Sequence, residues 1–135
     1  MALAIYEGSC LCGTVRYRAS GPPYNITHCH CTMCRRATGA PFVSWATFYT
    51  ERFRFVSGHP ASFDSSENAT RTFCARCGTP LTFQNAATPD EIDVTLGSLD
   101  HPEAVVPQDH TFVSGQLPWI KLADGLPRYE ESRPG

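Results

Sequence analysis

A chain of 135 residues with 41% hydrophobic residues, including eight Phe, five Tyr and two Trp, can build one core, whereas two domains would each approach the size at which a core alone becomes marginal. Its formal charge of -2 excludes the basic footprint of a nucleic-acid-binding surface. No apolar run is long enough to span a membrane, and residues 1–9 lack the basic start and apolar centre of an export signal, so the expectation is one domain over residues 1–135 in the cytoplasm.

Eleven Pro and ten Gly predict short elements joined by many turns. Thr14 to Ala19 alternates, with Val15, Tyr17 and Ala19 on one face, as a half-buried strand does. Gly21-Pro22-Pro23 ends it. Tyr24 to Cys31 reads as extended, and Thr32 to Ala37 as one or two helical turns stopped by Gly39 and Pro41. Further strands are predicted at Phe42 to Phe48, Phe53 to Val56, Thr70 to Phe73, Leu81 to Phe83 and Ile92 to Leu96, with turns at Ser57-Gly58, Asp64 to Asn68, Gly78 to Pro80 and Ala87 to Asp90. Asp100 to Glu103 can start one short helix. Beyond Pro107 the chain reads as loop, anchored by Trp119, Ile120, Leu122 and Tyr129.

The seven cysteines divide without remainder into two sets with metal-ligand spacing. Their odd number, their C-x-C and C-x-x-C spacings and the missing export signal all oppose a disulfide framework. Cys74-Ala75-Arg76-Cys77-Gly78 is a zinc-knuckle pattern, in which a tight turn brings two sulfurs to one ion. Cys10-Leu11-Cys12-Gly13 supplies the second pair, since residues two apart on an extended segment point the same way. Four thiolates close a tetrahedral zinc, which we read as structural.

Cys29, Cys31 and Cys34 form the second set, at the corner between the extended segment and the short helix. Three thiolates leave one position of a second zinc for water or substrate, as catalytic sites do, unless His59 or His110 closes it as a fourth ligand. His28 and His30 alternate with the cysteines and should point away from the ion. Arg35 and Arg36 follow the last ligand. Phe42, Trp45 and Phe48 are candidates either for a pocket wall or for plain core packing. Among His59, His101 and His110, the last is the strongest candidate for a role.

The runs Gly8-Ser9-Cys10-Leu11-Cys12-Gly13-Thr14-Val15-Arg16-Tyr17, Cys29-His30-Cys31-Thr32-Met33-Cys34-Arg35-Arg36 and Phe73-Cys74-Ala75-Arg76-Cys77-Gly78-Thr79-Pro80-Leu81 resemble, in order, the glutathione-dependent formaldehyde-activating enzyme family, the domain type that also includes centromere protein V. Leu117-Pro118-Trp119 and Gly125-Leu126-Pro127 resemble its C-terminal end. The resemblance implies a mainly β structure, the β-tent, with small antiparallel sheets around a structural zinc and few short helices. It also implies two zinc ions, a structural one at Cys10, Cys12, Cys74 and Cys77 and a catalytic one at Cys29, Cys31 and Cys34.

The implied reaction is addition of glutathione to formaldehyde, classed with carbon-sulfur lyases, and the implied partner is a small thiol such as glutathione. Arg35, Arg36, Arg71, Arg76 and Lys121 are the cations available to its carboxylates. A fold and a zinc pocket can host other work, so a non-catalytic zinc-stabilised binding module is the competing expectation.

Overall fold

The computed structural model describes residues 3–134. Among the described residues there are ten strands, one α-helix and four short 3-10 turns, and the protein is mainly β as the sequence leads one to expect. The strands are β1 (Ile5–Ser9), β2 (Arg16–Ser20), β3 (Tyr24–Cys29), β4 (Val43–Tyr49), β5 (Phe53–Ser57), β6 (Ala61–Ser66), β7 (Ala69–Phe73), β8 (Pro80–Asn85), β9 (Glu91–Thr95) and β10 (Asp109–Thr111); helix α1 is Thr32–Thr38. Strands β1, β2 and β5 form a small sheet in the order β1-β2-β5, and the other seven form a second in the order β10-β3-β4-β9-β8-β7-β6. Every pairing is antiparallel except β10 with β3.

The alternating segments behave as their patterns require. Val15, Tyr17 and Ala19 are buried, as are Ile92, Val94 and Leu96. Strand β4 is buried on both faces and divides the interior. Its even-numbered Ala46 and Phe48 enter the main core with Tyr17, Leu81 and Val94, whereas Val43 and Trp45 turn the other way, onto Cys29 and Cys34. The period-two geometry of a strand thus makes one element the wall between the structural core and the cysteine triplet.

Three strands escaped the sequence pattern. Strand β1 is short and carries Gly8, whose missing side chain admits the Tyr17 ring. Strand β6 is a polar edge strand with Phe63 exposed, and it takes Asp64 to Ser66 out of the expected turn, leaving only residues 67–68. Strand β10 is polar yet buried throughout, because Asp109 pairs with Arg133 at 2.5 Å and backbone bonds tie the strand to the tail, as in His110 N–H to Pro127 O and Tyr129 N–H to His110 O. The expected short helix near residue 100 is a single 3-10 turn at Pro102–Ala104. Ile120, Leu122 and Tyr129 are partly buried, but Trp119, expected as an anchor, is exposed.

The two sheets are joined through a buried hydrogen bond. Ser98 Oγ donates to the Thr95 carbonyl at 2.8 Å, so the Tyr17 hydroxyl, 2.6 Å away, is the donor to Ser98. Tyr17→Phe deletes one buried hydrogen bond and keeps the ring, so it should lower stability by about 1 kcal/mol. Urea unfolding should show this as a lower midpoint with an unchanged slope.

Candidate metal centres

Both cysteine sets converge. Cys10, Cys12, Cys74 and Cys77 form one group and Cys29, Cys31 and Cys34 a second, the ligand atoms within each lying within 4.8 Å of one another. In the first group Cys10 Sγ and Cys12 Sγ are 3.6 Å apart and Cys12 Sγ and Cys74 Sγ 3.7 Å. These separations exceed a disulfide's by far and match the edge, about 3.8 Å, of a tetrahedron with zinc–sulfur bonds near 2.3 Å.

Local backbone makes this group. Gly13 N–H donates to Cys10 O at 3.1 Å and Gly78 N–H to Cys74 O at 2.8 Å, each closing a turn that passes through positive φ, +80° at Gly13 and +83° at Gly78, where a side chain would be strained. The turns aim amide hydrogens at sulfur: Arg76 N and Cys77 N each lie 3.4 Å from Cys74 Sγ, and Val15 N lies 3.3 Å from Cys10 Sγ. Thr14 Oγ1 is 3.1 Å from Cys12 Sγ and Thr79 Oγ1 is 3.3 Å from Cys77 Sγ. These hydroxyls push the Cys12 thiol below the usual thiol range and the Cys77 thiol down to about 5. Cys12 and Cys77 are thus prepared to ionise, whereas burial contributes to pushing Cys74 up.

The triplet sits where β3 passes into α1. Cys31 caps the helix, its Sγ accepting from Cys34 N–H at 3.2 Å, and Gly39, with φ of 68°, ends it after two turns. That short helix is what returns Cys34 to Cys29, their sulfurs 3.6 Å apart. Hydrogen bonds from Cys29 and Cys34, helped by the Cys34 amide and the charge of Arg71, push the Cys31 thiol well down. Cys29 is pushed up, through its bonds to Cys31 and Cys34 and by burial. Cys31 is thus the sulfur of the three most readily ionised.

No histidine or carboxylate joins the triplet among the described residues. His59 is exposed. His28 and His30 point away from the sulfurs as expected: His28 Nδ1 meets Ser44 Oγ at 2.7 Å, and His30 Nε2 meets His110 Nδ1 at 2.9 Å. His110 in turn meets Asp124 Oδ2 through Nε2 at 2.7 Å. The tail therefore packs against the Cys29–Cys31 corner, where a β-carbon at Gly115 would run into His30 O and where Phe112 packs against the cluster of Cys29, Cys34, Val43 and Trp45.

The residue beside the triplet whose place spacing could not reveal is Arg71. It is buried, donates from Nη2 to Cys34 Sγ at 3.6 Å, and stacks its guanidinium over Phe83 at 4.9 Å. Its Nε has no partner, and no carboxylate pairs with it among the described residues. A buried cation without a carboxylate calls for negative charge from another source, and Cys31, whose thiol the Arg71 charge helps to push down, is the sulfur that can supply it. Its place on β7, opposite Phe83 of β8, is a long-range pairing with no local signature.

Arg71 also lines a cavity of about 670 Å³ together with Met33, Arg36, Trp45, Phe63 and Phe73. Of the three aromatic candidates, Trp45 faces the triplet and this cavity, Phe48 is core, and Phe42 packs against His30 at 4.9 Å. Arg35 does not line the cavity, Arg76 reaches Thr14 beside the four-cysteine group, and Lys121 bonds the Pro118 carbonyl in the tail.

A mainly β chain with a four-cysteine and a three-cysteine cluster defines a class of small domains whose cysteine clusters can hold metal ions. Within it, the sequence pattern of the family described as glutathione-dependent formaldehyde-activating enzyme matches residues 5–115, and the chain belongs to that family. A Halomonas elongata protein named "Putative glutathione-dependent formaldehyde-activating enzyme" is 26% identical over 131 residues, covering 87% of this chain and 81% of the relative. An uncharacterized lyase of Schizosaccharomyces pombe is 32% identical over 78 residues, covering 58% of this chain and 56% of the relative. The crystal structure of a Rhodobacter sphaeroides protein shares the fold, with a TM-score of 0.58 and 23% identity over 91% of this chain and 98% of that one.

The two groups should respond differently to the loss of one sulfur. Cys77→Ser breaks a junction between segments more than 60 residues apart and should lower the melting temperature by more than about 10 °C, a loss of several kcal/mol. Cys34→Ser alters a local corner and should leave cooperative unfolding in place. Calorimetry of both variants, loaded with zinc under reducing conditions, checks the contrast.

Proposed function

We propose that the protein is a zinc-dependent enzyme of the carbon–sulfur lyase type, joining a small thiol such as glutathione to formaldehyde or releasing it from the adduct. Zinc at Cys10, Cys12, Cys74 and Cys77 is structural in this reading, and zinc at Cys29, Cys31 and Cys34 is catalytic. The observation that carries it is Arg71, a buried guanidinium against a three-sulfur cluster that has no fourth protein ligand among the described residues. Family membership supports the thiol and the aldehyde.

Cys29, Cys31 and Cys34 would hold a zinc ion that, when bound, would supply a Lewis acid able to lower the pKa of an entering thiol. The chain's residues do the rest. Cys31, the most readily ionised of the three, and Cys34, held by Arg71, give that ion a defined seat. Arg71 offsets the extra negative charge that an incoming thiolate brings, in a setting shielded from water by Trp45 and Phe83, where charge compensation is worth more than in solvent. The neighbouring cavity receives the body of the thiol. Arg36, exposed at its edge, is placed to meet a substrate carboxylate. In the reaction the sulfur forms a bond to the aldehyde carbon, the carbonyl π electrons pass to oxygen, and a proton equivalent to the one lost by the thiol completes the hydroxymethyl group. The reverse sequence breaks the same bond.

The test replaces zinc by cobalt and titrates thiols under the sulfur-to-metal absorption. Glutathione or another small thiol should add one sulfur to the triplet's cobalt, and Arg71→Gln should weaken that binding roughly 10- to 100-fold, the worth of a charge-assisted contact. Cys31→Ala should abolish both the spectral change and thiol–aldehyde turnover. A titration silent with every cellular thiol removes the reading and favours a non-catalytic binding module.

A further inference from the structure

A third cluster of ligand-type side chains lies outside both cysteine groups. His28 on β3, His110 on β10 and Asp124 in the tail each present one ligand atom, all within 4.8 Å of one another. His110 is buried, His28 half-buried and Asp124 exposed. None of them faces the sulfurs or the cavity beside Arg71. We propose that His28, His110 and Asp124 form a third metal site, open to solvent on the Asp124 side, for a divalent transition metal of the class that favours imidazole and carboxylate over thiolate.

The argument rests on the far side of each ring. Metal-bound histidine commonly engages its second nitrogen in a hydrogen bond that fixes the ring and its tautomer. Here His28 Nδ1 meets Ser44 Oγ at 2.7 Å, and His110 Nδ1 meets His30 Nε2 at 2.9 Å. With Nδ1 engaged in both rings, Nε2 is the nitrogen that would bind an ion, in His110 by exchanging the proton it shares with Asp124 Oδ2 for the metal. The rings are stacked, 4.8 Å between centroids and 28° between planes, and Asp124 Oδ2 already stands 2.7 Å from His110 Nε2. Phe42 closes against the edge of the His28 ring at 5.3 Å, so the imidazoles are held before any ion arrives.

Two imidazoles and one carboxylate leave positions for water and suit zinc, nickel, copper or iron in the divalent state; they do not suit calcium or magnesium, which prefer all-oxygen shells. The soft cysteine groups and this harder group therefore sort metals by chemistry. An ion here would also tie the tail to the strand carrying the first ligand of the triplet, since Asp124 lies beyond β10 and His28 immediately precedes Cys29.

The experiment uses the full chain with both cysteine groups saturated with zinc and excess ion removed. Nickel is then titrated by calorimetry, with zinc release and the visible spectrum followed in parallel. One further equivalent should bind at micromolar concentration without zinc release and with only the weak bands of nitrogen and oxygen ligation. Asp124→Asn, a change on an exposed loop that keeps a hydrogen-bond acceptor, and His28→Gln should each remove that equivalent. Ser44→Ala, which touches no ion, should weaken it about 10-fold or more. The proposal is overturned if nickel binds only as zinc leaves, with sulfur-to-metal absorption, if no extra equivalent binds, or if Asp124→Asn and His28→Gln take it up unchanged. In the last two cases the cluster is a hydrogen-bonded strut between tail and β10.

Discussion

The meeting of two cysteine turns from distant parts of the chain is the constraint on which the rest of the structure depends. Cys10 and Cys74 are not appended to the core but belong to it, packed among Val15, Leu81 and Leu99. Bringing them together closes a long loop, an entropic cost that burial in a small β domain offsets only in part. With an ion at its centre, as we propose, four thiolates in tetrahedral contact supply what hydrophobic area does not. The junction fixes where β2 leaves the N-terminal turn and where β7 hands over to β8, and so fixes the small sheet against the large one.

From that junction the candidate active site follows by strand geometry. Strand β7 runs from Ala69 to Phe73, directly before Cys74, and carries Arg71 three residues before that ligand. Strand β4 has Phe48 in the core that surrounds the junction and Trp45 on the triplet. The two cysteine groups are therefore coupled through rigid elements and not through flexible loops. The division of labour is physical as well: the first group is held by two amide-lined turns, the second by a helix of only seven residues whose first turn it shares.

What was legible in the sequence was chemistry with a short repeat. Cysteine spacing identified both groups, and alternation identified β2 and β9 with the correct inward faces. What was not legible depended on distance along the chain. Strand β10 reads as loop because Asp109, His110 and Thr111 are polar, and their burial is made possible by Arg133 and by backbone bonds to residues 127–131. Strand β6 reads as a turn because an edge strand needs no apolar face. Arg71 was one cation among several until the β7–β8 register set it over Phe83 and against Cys34. The stacked histidines likewise come from β3 and β10, 82 positions apart in sequence, and no local pattern joins them.

The central claim is that one cysteine group is a closed metal site and the other an open one. Anomalous diffraction at the zinc edge, on crystals of zinc-replete protein grown without added thiol, tests it most directly. The account predicts a peak bounded by Cys10, Cys12, Cys74 and Cys77 with no other ligand, and a second bounded by Cys29, Cys31 and Cys34 whose fourth ligand is solvent. A histidine or carboxylate of the chain in that fourth position, or a triplet that binds no metal, would contradict it.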